Sequence, residues 1–125
     1  MKVAICDYQV GNLSSVINMC RFFGFEPIVT SNISILDKSD LIILPGQGAY
    51  ATAMESLNQS GCKEFIVDYI KDDRPFLGIC VGFQLLFEGS YENGYTSGLG
   101  IFPGVFELFK SDTLKVPHMG WNSLS

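Results

Sequence analysis

The sequence is poor in the residues that nucleic-acid, metal and disulfide chemistry require. It holds eight basic residues against thirteen acidic ones, a single histidine, and four cysteines with no Cys-x-x-Cys pair. A nucleic-acid surface needs clustered Lys and Arg, so a net charge of -5 argues against a nucleic-acid partner. One histidine and separated cysteines predict no metal site, and no sequence feature calls for a cofactor.

Long apolar runs are missing as well. No run reaches the roughly 20 residues that a membrane helix needs, and the opening apolar run stops too soon, at Asp7, to form a signal peptide. Cys6 and Cys20 fall at expected core positions of a strand and a helix, which favours reduced thiols over disulfides. We therefore expect a reduced, cytoplasmic protein with no membrane partner.

The residues that are present predict a globular α/β domain. Hydrophobic residues make up 47% of the chain and charged residues 17%, and 125 residues suffice for one core. The predicted strands are residues 2–6, 25–30, 41–44 and 75–79. The predicted helices are residues 12–23, with Asn12 as N-cap and Gly24 after the end, 49–57, 62–70, and a brief one from Cys80 through Phe87.

Strands that are apolar throughout and are separated by helices indicate a parallel sheet covered on both faces. The prediction is a doubly wound, mostly parallel α/β sheet in a single domain, residues 1–125. After Glu88, glycines separate short strands such as residues 105–109. The last ten residues show no clear element, so we expect the C-terminal part of the fold to be absent from this sequence.

The most informative stretch surrounds Cys80. A predicted strand runs into Gly78-Ile79-Cys80-Val81-Gly82 and then into a helix, which is the cysteine form of a nucleophile elbow. The turn would place Cys80 at the positive end of a helix, which favours the reactive thiolate. The amide of Val81 would point to where a tetrahedral oxyanion develops. A buried cysteine in a glycine-rich turn is the alternative, but the strand-to-helix context favours catalysis.

A second glycine-rich loop follows the strand at residues 41–44. It reads Pro45-Gly46-Gln47-Gly48, and in a parallel sheet it would lie at the same carboxyl edge as Cys80. Its amides could supply a second oxyanion donor. Considered alone, it would be an ordinary strand-to-helix turn.

Together these stretches resemble class I glutamine amidotransferases, and among them the glutaminase subunit of imidazole glycerol phosphate synthases. The matching stretches, in order, are residues 7–13, 45–48, 78–86 and Pro117-His118-Met119-Gly120-Trp121-Asn122. The resemblance implies that Cys80 is the nucleophile and that Gly48 and Val81 line the oxyanion hole. It also implies that Gln84 and Glu92 contact the substrate glutamine. Without it, Gln84 and Glu92 would be ordinary polar residues.

The resemblance also implies a partner. Ammonia would pass to a barrel-shaped synthase subunit, in a heterodimer that serves histidine biosynthesis. The segment at residues 117–122 would lie at that interface. The expected interface residues are His118, Met119, Trp121 and Asn122.

The chain departs from the family in one central respect. The family completes its catalytic triad with a His-x-Glu downstream of the cysteine, whereas His118 is followed by Met119 and Gly120. We therefore interpret His118 as structural or interfacial and expect the 125-residue chain alone to be inactive. Gln47 and Tyr50 also stand where smaller or apolar residues are usual, and Gln47 could alter how the loop presents its amides.

Two other functions remain open at this point. One is a glutaminase that supplies ammonia for the amidination of a sugar precursor. The other is a non-catalytic module that docks on a synthase barrel, which the missing His-x-Glu favours for the chain as written.

Overall fold

The structure is a computed structural model that describes residues 1–116 and 120–124. Its elements follow the chain as β1 (Val3–Cys6), α1 (Ser14–Phe22), β2 (Ile28–Thr30), α2 (Ile33–Asp37), β3 (Leu41–Leu44), α3 (Tyr50–Ser60), α4 (Lys63–Lys71), β4 (Phe76–Gly78), α5 (Val81–Gln84), β5 (Phe87–Ser90), β6 (Thr96–Ser97) and β7 (Phe102–Phe106). The first four strands form one sheet in the order β2-β1-β3-β4, and all neighbours are parallel. The prediction of a parallel sheet is confirmed.

The central strands are buried on both faces because their alternating side chains enter two separate cores. Val3 and Ile5 of β1 pack with Cys20 of α1 and with Ile43 on one side. The other core is larger and holds Ala4 and Cys6 together with buried residues of α2, α3 and α4. Helices therefore cover both faces of the sheet, which confirms the doubly wound α/β prediction.

The end of α1 follows the predicted glycine signal. Gly24 has a φ of +85°, and its N–H donates to the carbonyl of Arg21 at 3.0 Å while the N–H of Phe25 donates to the carbonyl of Cys20 at 2.9 Å. This pair of bonds is a Schellman motif. At the other end the prediction was one residue early: Leu13 is the N-cap, and Asn12 Oδ1 instead accepts from the N–H of Ser14 at 2.8 Å.

Helix α2 was not predicted. It has only five residues, too few to show a helical period, and Leu36 is its one buried side chain. The signal that could have identified it is Asn32, whose side chain caps the helix by accepting from the N–H groups of Ser34 and Ile35.

The predicted helix through Phe87 was wrong. Helix α5 has four residues, and Phe87 instead begins β5, the middle strand of a second sheet ordered β6-β5-β7. The chain leaves the helix because the carbonyl of Leu86 accepts from the N–H groups of Ile101 and Phe102, at 2.8 and 3.1 Å. The same hydrogen bonds to Leu86 begin β7 at Phe102, so the strand predicted at residues 105–109 lies at Phe102–Phe106.

No helix within the described parts of the chain combines the length and apolar character needed to cross a bilayer.

Candidate active site

Cys80 lies in a strained turn at the carboxyl end of β4. It has φ +55° and ψ −124°, a backbone conformation that costs a non-glycine residue on the order of 1–3 kcal/mol and is typical of functional turns. Helix α5 follows at once, from Val81. The predicted strand–cysteine–helix elbow is present, although four residues form a much shorter helix than expected.

Cys80 is also the one exposed thiol. Cys6, Cys20 and Cys62 are buried, whereas Cys80 is exposed. Burial raises the pKa of the Cys6 thiol, to which the neighbouring Cys62 adds, and burial likewise raises the pKa of Cys20. A raised pKa lowers the fraction of nucleophilic thiolate at Cys6 and Cys20. Burial also keeps a dissolved substrate away from Cys6, Cys20 and Cys62, so Cys80 is the thiol that such a substrate can reach.

The loop at residues 45–48 lies against the elbow. A Cβ on Gly46 would come within 2.5 Å of the backbone nitrogen of Gly82. A Cβ on Gly82 would in turn overlap the carbonyl oxygen of Leu44. Only glycine permits this approach of two backbones, and the two strands that lead into it, β3 and β4, are paired with Leu44 opposite Gly78.

Tyr8 anchors the start of this loop. Its buried hydroxyl donates a hydrogen bond to the carbonyl oxygen of Pro45. Burial raises the pKa of Tyr8, so the phenol keeps its proton and remains a donor at neutral pH. Further along, Gly48 is exposed and has a φ of +82°, which favours glycine at that position.

Gln84 and Glu92, the two residues predicted to contact substrate, line one cavity of about 330 Å³. Its other lining residues are Ser90, Phe106, Glu107, Leu108 and Phe109. The N–H of Gln84 donates to the carbonyl of Cys80 at 3.1 Å, one helical turn back. Gln84 therefore places one wall of the cavity one helical turn away from Cys80.

Glu92 is tied to the loop as well as to the cavity. Its Oε2 accepts from the N–H of Tyr50, the first residue of α3, at 2.8 Å. Its own N–H donates to Ser90 Oγ at 3.1 Å, and Ser90 is 4% exposed. The structure thus brings Glu92 to the end of the loop that contains Gly48.

The predicted interface residues are only partly described. Trp121 is fully exposed, and Asn122 is exposed with its Oδ1 accepting from the N–H of Ser123 at 2.9 Å. His118 and Met119 lie outside the described residues. Trp121 therefore does not pack into the core of the described chain.

Three contributors to the site were missed from the sequence: the hydroxyl of Tyr8, the hydroxyl of Ser90 and the amide of Tyr50. Tyr8 carried a usable signal because it closely follows a buried strand, at the edge where parallel sheets bind ligands. Tyr50 carried no such signal, because the fold brings Glu92 to its amide across 42 positions of sequence. The bond between Ser90 Oγ and the N–H of Glu92 spans only two positions and is local. Within residues 1–116 and 120–124, no three His, Cys, Asp or Glu side chains converge in a way that could hold a metal ion.

Comparisons with known proteins identify the family and the fold. The family of CobB/CobQ-like glutamine amidotransferase domains matches residues 23–115. A crystal structure described as a glutamine amidotransferase superposes with a TM-score of 0.72 at 16% identity, over 86% of this chain and 57% of that chain. At such low identity the superposition supports the fold alone.

Relatives identified by sequence have a higher identity to this chain than the superposed structure. Imidazole glycerol phosphate synthase subunit HisH of Exiguobacterium sibiricum is 47% identical over 122 residues, which are 98% of this chain and 62% of the relative. The chloroplastic imidazole glycerol phosphate synthase hisHF of Arabidopsis thaliana is 45% identical over 98% of this chain and 21% of its own length. The chain thus spans less than two thirds of either relative.

Proposed function

The chain belongs to the glutamine amidotransferase family, and from that premise we propose that Cys80 is the nucleophile that attacks the side-chain amide of glutamine. The proposal rests on one observation. The exposed thiol sits at positive φ in an elbow whose Gly82 is in backbone contact with the loop at residues 45–48. Such a turn exposes the nucleophile and places backbone N–H groups close to it.

The reaction begins when the Cys80 sulfur bonds to the carboxamide carbon and the carbonyl electron pair moves onto oxygen. The N–H groups of Val81 and Gly48 are the proposed donors to that oxyanion. The carbon–nitrogen bond then breaks, and ammonia leaves once its nitrogen has gained the proton that the Cys80 thiol gave up. Water attacks the resulting thioester, which releases glutamate and restores the thiol.

The cavity lined by Gln84 and Glu92 is the proposed site for the rest of the substrate. Gln84 can hydrogen-bond the substrate, and the Glu92 carboxylate can pair with its α-ammonium group. A carboxylate has about four acceptor positions, and Tyr50 takes one of them on Glu92. Capping α3 and binding an ammonium group are therefore compatible roles for one side chain.

A titration of the 125-residue chain with glutamine tests this proposal. We expect L-glutamine to shift the NMR signals of the Gln84 side-chain amide and of the Tyr50 backbone amide, because both flank the proposed binding site. D-Glutamine serves as the control, since its ammonium group would point away from Glu92. Shifts confined to residues far from the cavity would contradict the proposal.

We further propose that the ammonia is used by a synthase partner. The HisH and hisHF relatives are imidazole glycerol phosphate synthases by name, which supports a synthase as partner. A barrel-shaped cyclase in a heterodimer, a cytoplasmic location and a place in histidine biosynthesis are part of this proposal. The hisHF relative is nearly five times longer than the matched stretch, since the chain covers 21% of it. The additional length of that relative supports a HisH-like part joined to a larger part in one chain.

A docking role without chemistry is the second candidate. Within these 125 residues no His-x-Glu follows Cys80, so this stretch by itself supplies no such imidazole–carboxylate pair to move the protons in the mechanism above. Trp121, fully exposed, would serve such a module as an interface anchor. Binding to the synthase together with unchanged glutamine signals in the titration would favour this candidate.

A further inference from the structure

The side chain of Gln47 links the loop at residues 45–48 to a different part of the fold. Its Nε2 donates to the backbone carbonyl of Asn12 at 3.0 Å, across 35 positions of sequence. Asn12 follows Gly11, which has a φ of +63°. A Cβ on Gly11 would lie 2.6 Å from Gln47 Cδ and 2.8 Å from Gln47 Cγ. The Gln47 side chain therefore lies directly against the turn before α1.

The middle of the loop has few other restraints. Tyr8 holds Pro45, Gly46 packs on Gly82, and Glu92 holds the start of α3. Between these anchors, Gly48 is exposed, and nothing lies within 4 Å of where its Cβ would be. A glycine in open space rotates readily between left- and right-handed backbone conformations, and such a rotation turns its N–H away.

We propose that Gln47 is a positioning residue that latches this loop to the turn at Asn12 and so fixes the direction of the Gly48 N–H. The inference rests on the proposed function, because it concerns the second oxyanion donor. The turn is a firm anchor, since Asn12 Oδ1 also accepts from the N–H of Ser14 at 2.8 Å. Through that bond the latch connects the loop to α1, the helix on the smaller core.

The latch itself is measured in the 125-residue chain by ¹⁵N relaxation. The test variant is Gln47→Met, which keeps the length of the side chain beside Gly11 but has no N–H to donate. The matched control is Gln59→Met, because Gln59 Nε2 reaches only Glu55 on the same helix, at 3.4 Å. We expect the Gly48 order parameter to fall from the rigid value of about 0.85 to below about 0.6 in Gln47→Met only.

The effect on Cys80 is measured with two labels. With a chloromethyl ketone analogue of glutamine, the Cys80 thiolate first adds to the ketone carbon, which creates an oxyanion. The sulfur then displaces chloride from the methylene, while its bond to the ketone carbon breaks and the carbonyl re-forms. Iodoacetamide alkylates sulfur by direct displacement of iodide and creates no oxyanion. We expect Gln47→Met to slow labelling of Cys80 by the ketone about tenfold and labelling by iodoacetamide less than about twofold. A tenfold loss is smaller than the loss that removal of an oxyanion donor causes.

The outcomes separate the latch from the proposed function. An unchanged Gly48 order parameter in Gln47→Met overturns the latch, whatever the labels show. A more mobile Gly48 with an unchanged ratio of the two labelling rates overturns the positioning role. If the ketone fails to label Cys80 in the unsubstituted chain, the proposed function fails and takes the positioning role with it, while the relaxation data still decide the latch.

Discussion

Glu92 Oε2 accepts a hydrogen bond from the backbone N–H of Tyr50 at 2.8 Å, across 42 positions of sequence. Tyr50 is the first residue of α3, so the carboxylate satisfies one of the N–H groups that a helix start leaves open. The N-cap residue, Ala49, has no side chain that could do this. Glu92 therefore connects the candidate glutamine cavity to the loop beside Cys80.

This relationship predicts different results for two substitutions of Glu92. Glu92→Gln keeps an oxygen acceptor for Tyr50 but removes the charge, so stability should hold while glutamine binding weakens. Glu92→Ala removes both, and we expect it to lower the free energy of unfolding by about 1 kcal/mol, as loss of a helix cap does. Urea unfolding and an NMR titration with glutamine measure the two effects. Equal stability of both variants would contradict the capping role.

The buried Cys6 predicts a loss of stability in alkaline solution. Its folded pKa is raised by burial above the unfolded value of 9.0. The thiol of the unfolded chain therefore ionises first, so its contribution to stability is present below about pH 9 and is lost as the pH rises. Urea unfolding at pH 7 and pH 10 should show this loss, and Cys6→Ala should lose less than the unsubstituted chain. An equal loss in both proteins would contradict the assignment.

The absence of a His-x-Glu predicts that the 125-residue chain has negligible glutaminase activity. Loss of the base from a nucleophile–base unit typically removes several orders of magnitude in rate. The measurement is ammonia release from glutamine, with Cys80→Ala as the blank. Turnover well above that blank would show that another residue of this chain moves the proton.

The exposed Trp121 predicts a role in binding a partner rather than in folding. We expect Trp121→Ala to melt at the same temperature as the unsubstituted chain, because the side chain is fully exposed. Its affinity for the synthase should fall by about 2 kcal/mol or more, as for an interface hot spot. Titration calorimetry measures the affinity.

Leu124→Ala is the matched control for Trp121, since Leu124 is an equally exposed apolar residue three positions away. Its affinity should change little. A Trp121→Ala variant that binds normally, or that melts early, would show that the interface assignment is wrong.

The sequence allowed prediction of those features that depend on local patterns. Apolar runs such as residues 41–44 identified the parallel strands, and the glycines around Cys80 identified the elbow. Phe87 was misassigned because its conformation is set at a distance. Its ring packs against Phe102 and Phe106, 5.6 and 5.1 Å between centroids, and an apolar run of that length suits either a helix or a strand.

The site residues also divide into those with a local sequence signal and those whose contacts form at a distance. Cys80 was identifiable from its own neighbours, whereas the link from Glu92 to Tyr50 and the link from Gln47 to Asn12 span 42 and 35 positions. No local pattern predicts a contact of that kind, because it exists only after the sheet has brought its loops to one edge. The unusual glutamine at position 47 was visible in the sequence, but its partner was not.

Competitive labelling of the four thiols distinguishes an activated Cys80 from Cys6, Cys20 and Cys62. The 125-residue chain is treated with a limiting amount of the chloromethyl ketone analogue of glutamine, and the labelled peptides are identified by mass spectrometry. If Cys80 is the activated nucleophile, the label will be on Cys80 alone, and excess L-glutamine will slow its labelling. Preferential label on Cys6, Cys20 or Cys62, or a rate at Cys80 that glutamine leaves unchanged, would contradict that assignment.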